Sequence, residues 1–367
     1  MRSANDKQSG AASQGPLSEI FNRDLDQAAV IVRNWLADRI PGCSELRLDE
    51  VVATGGLSNE LIIVEASWRE GSESRKQGFV LRIDPVNYRK RPSSNLRREF
   101  DVLNGLYRHS DVPVPKPFWY EEDSSLLGAE FFAMERLYGQ IPADRPPYQL
   151  EGWVVELAPQ QRAQLWRSAI ETLAKIHRAP VDKLTKLKRG DPALGDFENH
   201  VDYWHQTYQW AMDGVKNPLS DEAWVWLRNN FPDDAPRGLS WGDARLGNMM
   251  FNGTQCCGVL DWEDVALSSP LVDLGRWLFA DAFHKASGYP PLEGFGDRSA
   301  TLELWEACTG YSTRHVRWFE IFTIATGIGL VARMGRLQAE IAGKLVGPQH
   351  INIEAFNKIL VEWLESV

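Results

Sequence analysis

A chain of 367 residues is about twice the ~100–200 typical of one domain, and its 43% hydrophobic residues and 15 tryptophans suffice for a sizeable core. The formal net charge of −10 argues against a nucleic-acid binder, which needs a basic face to neutralise phosphates, and no apolar run approaches the ~20 residues of a membrane helix. Cys43, Cys256, Cys257 and Cys308 show no metal-ligand spacing and are expected to be free thiols in a reducing, cytoplasmic compartment.

Residues 1–17 are polar, lack the apolar centre of a signal peptide and read as a disordered leader. A helix is expected over 26–40, where Ala28, Val30, Ile31, Trp35 and Leu36 recur at helical spacing. The stretch 45–70 reads as strand, glycine turn, strand, with Leu61, Ile62, Ile63 and Val64 as a buried run. Residues 78–85 form a third short strand stopped by Pro85. A helix follows, with Ser94 as N-cap and Leu96, Phe100, Leu103 and Tyr107 on one face. The proline-rich stretch 111–123 is an extended connector into a hairpin whose second strand lies in 128–137.

The chain then changes character. Residues 159–178 form a helix with Pro159 in its first turn and Leu165, Ala169, Thr172, Leu173 and Ile176 facing the core. Ser220 is expected to cap another helix, and beyond 270 the pattern is mainly helical. The architecture is therefore α+β and bilobal. A small antiparallel β-sheet lobe with a helix, 18–135, precedes a larger, mainly helical lobe, 136–367.

The chemistry concentrates in residues 240–267, SWGDARLGNMMFNGTQCCGVLDWEDVAL. Two short strands, 249–251 and 256–260, flank the Asn252-Gly253 turn, a strong hairpin signal. A hairpin brings its ends together, so Asn248 and Asp261 should lie side by side, with Asp243 five residues before Asn248. That set suits phosphoryl transfer, where catalysis is mainly positioning and charge neutralisation. Asp243 would face the attacking hydroxyl, while Asn248 and Asp261 offer hard oxygens to Mg²⁺.

These residues carry a resemblance. WGDARLGN followed by VLDWEDVALSSPLVDLG resembles the aminoglycoside phosphotransferase and choline kinase-like family, whose usual form is H-G-D-x-x-x-x-N followed by (I/L)-D-W-(E/D). The likeness runs from about Leu46 to Leu278, includes AKIH at 174–177, and is nearest the branch related to acyl-CoA dehydrogenase-linked kinase domains. It implies a protein-kinase-like fold with ATP and Mg²⁺ in the cleft. By the same resemblance, Gly55, Gly56, Ser58 and Asn59 occupy the nucleotide loop, and Arg82 takes the phosphate-binding lysine's place, with Glu99 as its partner. Met134, Glu135 and Leu137 match the hinge that meets adenine, with Met250 and Leu260 packing on the base. Asp273 falls on a family position that ties the catalytic loop, and His177 reads as a packed structural residue.

One departure stands out: Trp241 replaces the family's histidine. Tryptophan fills volume and donates one hydrogen bond from its indole N–H, so activity is expected to survive. The function expected is phosphorylation of a small-molecule hydroxyl, on either a hydroxyacyl or hydroxyacyl-CoA acceptor or an aminoglycoside. The aminoglycoside would draw on Asp281, Glu293, Asp297, Glu303 and Glu306. Lys183, Lys186, Lys188 and Arg189 read as a solvated loop, or as an attractor for an anionic substrate handle. A protein kinase is disfavoured, since no A-P-E follows the DWE. The alternative is a nucleotide-binding pseudokinase acting as a regulatory module.

Overall fold

The structure is a computed structural model that describes residues 23–55, 59–84, 89–93, 96–341 and 353–367. The leader and the expected Gly56, Ser58, Pro85 and Ser94 features lie outside the described residues. Helix α1 (Leu25–Ala37) starts where the Asp24 carboxylate accepts from the N–H groups of Asp26 and Gln27. It stops short of the expected residue 40 because Pro41 disfavours helical backbone at the residue before it. Strands β1 (Cys43–Gly55), β2 (Glu60–Glu70) and β3 (Glu73–Ile83) then form an antiparallel meander. β3 begins well before the expected residue 78. Its first residues are exposed and keep backbone pairing with β2 beyond the core, so no apolar pattern announces them.

Helix α2 (Leu96–His109) buries Leu96, Glu99, Val102, Leu103 and Leu106. Tyr107, expected on that face, is exposed; the acid at 99 takes a core position because it meets Arg82. Strand β4 (Pro117–Glu121), the one-turn α3 (Ser124–Leu127) and β5 (Phe131–Glu135) complete a sheet of order β1-β2-β3-β5-β4. Trp35 of α1 packs on Phe131 at 4.9 Å and edge-on to Trp119 at 5.8 Å. This fixes the helix on the sheet; burying each such side chain contributes roughly 1.5–3 kcal/mol.

After β5, Gln140 exchanges both backbone hydrogen bonds with Phe251, at 2.8 Å each. The one-turn α4 (Trp153–Glu156), α5 (Pro159–His177), α6 (Asp196–Met212) and α7 (Pro218–Asn229) follow. The cap of α7 is Asn217, whose side chain accepts from the Ser220 N–H at 3.2 Å. Ser220, the expected cap, thus sits in the first turn, with Pro218 pre-set for the helix start. Strands β6 (Gly238–Ser240), β7 (Met249–Asn252), β8 (Gln255–Val259) and β9 (Ala266–Ser268) pair as β6 with β9 and β7 with β8.

Helices α8 (Leu271–Ala286), α9 (Arg298–Thr309), α10 (Val316–Ile341) and α11 (Glu354–Leu364) close the chain. α10 packs against α6, α7, α8 and α11. The α8–α10 crossing is close, because a Cβ on Gly275 would lie 2.6 Å from the backbone carbonyl of Phe319. Among the described residues no helix is long and apolar enough to cross a membrane.

Candidate active site

The loop after β6 is held by one buried carboxylate. Asp273, at the start of α8, accepts from Ser240 Oγ (3.0 Å), Trp241 N (2.7 Å), Gly242 N (2.7 Å) and His177 Nε2 (2.9 Å). His177 Nδ1 accepts from the Trp305 indole at 2.8 Å, so its Nε2 carries the proton given to Asp273. Gly242 has φ 98°, and a Cβ there would lie 2.4 Å from Asp264 Cβ. A residue with a side chain cannot make that turn without displacing the neighbouring loop. Trp241 is fully buried. Its indole N–H is shared between the carbonyls of Leu260 (2.9 Å) and Asp261 (3.1 Å), joining the Asp243 loop to the end of β8.

In the hairpin, Asn252 pairs with Gln255, so the tight turn is Gly253–Thr254, one residue beyond the expected Asn252-Gly253. Gly253 takes the positive φ of 59° that a primed hairpin turn needs at its first position. Met249 pairs with Val259, and the Leu260 N–H donates to Asn248 O at 2.9 Å. Asn248 and Asp261 therefore stand side by side, as the hairpin reading requires. Asn248 Nδ2 donates to Asp243 O (3.1 Å) and Oδ2 (2.8 Å), leaving its amide oxygen to act as a hard donor elsewhere. Asp261 has φ 56°, a left-handed conformation that Asp tolerates better than most residues.

Arg82 in β3 meets three acids: Glu99 Oε2 at 2.6 Å, Asp261 Oδ1 at 2.8 Å and Glu263 Oε2 at 3.8 Å. Burial pushes Glu99 up to about 8 despite Arg82. Burial, with the Glu263 charge behind it, also raises Asp261. Glu263 is held well below the usual carboxylate range: burial opposes this, but Arg91 (2.9 Å) and Lys90 (3.1 Å) outweigh it. Arg91 also pairs with Asp264, so residues 90–91 clamp the DWED segment from the sheet side.

Asp243 lies in the opposite environment. Arg276 of α8 donates to its Oδ1 from Nε (3.0 Å) and Nη2 (2.8 Å), and Arg245 Nε donates to Oδ2 at 3.0 Å. Although burial works the other way, Arg276 and then Arg245 hold its carboxyl far below the usual range. Lys90, Arg91, Arg245 and Arg276 were not among the residues singled out from sequence. Arg276 had a legible signal, because it follows Asp273 by three positions and so shares its helix face.

Of the remaining expected nucleotide residues, Gly55 ends β1 opposite Glu60 and Asn59 is buried beside it. Met134 and Glu135 lie in β5. Leu137 and Met250 meet at Gly258, where a Cβ would lie 2.7 Å from Leu137 Cδ1 and 3.3 Å from Met250 Cβ. Leu260 contributes its carbonyl to the Trp241 indole. The basic cluster is dispersed: Lys183 pairs with Asp182 (2.9 Å), Lys186 with Asp101 (3.0 Å), and Arg189 stacks over Tyr203 at 4.1 Å.

Comparison with known proteins places this chain in a family. Residues 56–311 match the phosphotransferase enzyme family, APH. Acyl-CoA dehydrogenase family member 11 of Homo sapiens is 27% identical over 308 residues, covering 77% of this chain and 38% of that protein. A probable acyl-CoA dehydrogenase of Arabidopsis thaliana is 31% identical over 229 residues, covering 60% of this chain and 26% of that protein. The chain thus spans well under half the length of these curated relatives. Among solved structures, a candidate aminoglycoside phosphotransferase from Ralstonia eutropha superposes with a TM-score of 0.67 at 20% identity, covering 92% of this chain and 98% of that one. A thermostable mutant of aminoglycoside phosphotransferase APH(4)-Ia, in ternary complex with ADP and hygromycin B, gives 0.52 at 17% identity over 90% and 98%. At such identities the likeness is one of fold. With more than half of its length inside the family match, the chain belongs to the APH phosphotransferase enzyme family.

Proposed function

We propose that this protein is an ATP- and Mg²⁺-dependent kinase that phosphorylates the hydroxyl of a small molecule. The observation that carries the reading is the convergence of Asp243, Asn248 and Asp261 through the β7–β8 hairpin, with Arg82 on Asp261. Asn248 Oδ1 and the Asp261 carboxylate fit Mg²⁺, which takes hard oxygens from one or two side chains and fills its octahedron with water and phosphate oxygens. When bound, the ion would neutralise charge developing on the transferred phosphoryl group. Arg82, the 55–59 segment and the Met134–Leu137 strip would hold the nucleotide, with Met250 and Leu260 beside the base.

Asp243 is a weak base because its arginines keep it ionised. That suffices in a loose phosphoryl-transfer transition state, where the carboxylate orients the alcohol and accepts its proton late. The acceptor oxygen bonds to the γ-phosphorus as the bond from phosphorus to ADP breaks, and the proton leaves through Asp243. Residues 18–135 act as the nucleotide lobe and 136–367 as the catalytic lobe, consistent with the sheet ending at Glu135. The four free cysteines fit a cytoplasmic setting.

A second reading, a nucleotide-binding pseudokinase, draws on the ion pairs that already occupy both Asp243 and Asp261. Calorimetric titration with ATP and Mg²⁺, run beside mass-spectrometric screening of aminoglycosides, amino alcohols, hydroxy acids and hydroxyacyl-CoA esters, separates the two. A product one phosphoryl group heavier establishes the kinase. Tight ATP binding without such a product across the whole panel establishes the module.

A further inference from the structure

Asp243 meets two guanidiniums: Arg245 is shared with Asp144, whereas Arg276 makes its ion pair with Asp243. A narrow pocket of about 70 Å³ runs from Asp243 between α6, α8 and α10. Its cationic side chains are Lys90 and Arg276, and Val272 and Leu330 supply apolar wall. Thr323 and Thr326 also line it, but they spend their hydroxyl protons on the carbonyls of Phe319 (2.9 Å) and Phe322 (3.0 Å). The pocket's other acid, Asp264, is tied to Arg91. Gly275, beside Arg276, lets α8 approach the Phe319 backbone of α10 along this space.

The acids that line this pocket are already paired, Asp243 with Arg276 and Asp264 with Arg91. Asp144 is bound to Arg245, Asp297 caps α9, Glu303 accepts from Ser299, and Glu306 accepts from Thr313. Asp281 lies further along α8, beyond the residues that line the pocket.

Building on the kinase reading above, we propose that the acceptor is a hydroxy acid, an alcohol bearing a carboxylate or phosphate close to its hydroxyl. Arg276 is the residue that selects it, by exchanging its fork on Asp243 for a fork on the acceptor's anion. Guanidinium matches either anion bidentately, so one ion pair replaces another. The same exchange uncovers Asp243 Oδ1 for the incoming hydroxyl. An alcohol without the anion must break the Arg276–Asp243 pair with nothing in return. The anion's partner and the base's release are thus one event, and no oxidant or further co-reactant is needed. The alcohol oxygen gains the phosphoryl group from ATP, ADP leaves, and the alcohol proton passes by Asp243 to solvent.

The test is steady-state kinetics of the full chain with ATP and Mg²⁺ on three arms: hydroxy carboxylates, phosphorylated alcohols, and neutral or amine-bearing alcohols. Wild type should favour one or both anionic arms, and the better of the two identifies the anion. Arg276→Ala should raise KM for the favoured acid by about 100-fold, the scale of losing a charged partner, with ATP affinity unchanged. It should also raise turnover of neutral alcohols, a gain that a merely structural arginine would not produce. Arg276→Lys should recover part of the KM, and Arg276→Gln replaces the alanine variant if that one melts early. Phosphorylation confined to the neutral or amine arm overturns the proposal and leaves the kinase reading standing. So does an unchanged KM in well-folded Arg276→Ala and Arg276→Gln. ATP binding without product in any arm removes the kinase reading and this proposal with it.

Discussion

The two ends of the β7–β8 hairpin are paired in different ways. At Asp261 the guanidinium of Arg82 is shared among three carboxylates, of which Glu263 also has Lys90 and Arg91; at Asp243 one carboxylate takes an amide and two guanidiniums, of which Arg245 also holds Asp144. Buried charge is tolerated when paired and costly when surplus. A cation on Asp261 would take the place of Arg82, and an anion beside Asp243 would take over Arg276. In the proposed reaction these are the metal and the acceptor, held apart by a hairpin whose own register is fixed by backbone pairing.

Substitutions can break this contrast in graded ways. The largest effect is expected from Asp243→Ala. Turnover should fall by about 10³–10⁴-fold, with ATP affinity by calorimetry kept within a few-fold, because the metal end is untouched. Asp273→Ala acts on the frame both ends share. Removing a buried carboxylate that satisfies four donors should cost about 3–5 kcal/mol, read as a lowered denaturation midpoint. Asp261→Ala should lower Mg²⁺-dependent ATP affinity by roughly 100-fold, about 2.7 kcal/mol. It should leave folding stability nearly unchanged, since it removes one of three crowded acids; a large loss of stability would show that the acidic end is not in surplus. The mildest should be Trp241→Phe, which loses the indole donor between the two ends and should cost about 1–2 kcal/mol. Turnover should survive it, checked by thermal melting beside the kinase assay.

Much of this was legible because it is local. The glycine after Asn252, the apolar runs on either side and the five-residue step from Asp243 to Asn248 together define the hairpin and what it brings together. The sheet-then-helices order was equally plain from the change of period near residue 135. Pairings across the cleft were harder to read. Lys90 and Arg91 meet Glu263 and Asp264 from more than 170 positions away, and no spacing rule connects them. Glu99 was expected as the partner of Arg82 through the family resemblance, not from its helix pattern, and its burial follows that partner rather than the residue's polarity. The start of β3 and the cap of α7 were missed for a simpler reason. Exposed strand carries no apolar alternation, and Asn217 competes with Ser220 in a segment where both are good caps.

Gln140 is bonded in both directions to Phe251, and this has a mechanical consequence. The anchor leaves the four residues Arg136 to Gly139 between the last strand of the sheet and the hairpin that bears Asn248. The covalent passage from the sheet to the hairpin is confined to that short stretch, like a door hung on one narrow leaf. At Gly139 a Cβ would already lie 2.7 Å from Met250 Cγ and from the Phe251 carbonyl oxygen. A side chain at 139 would therefore have to push the hairpin away from the connecting stretch.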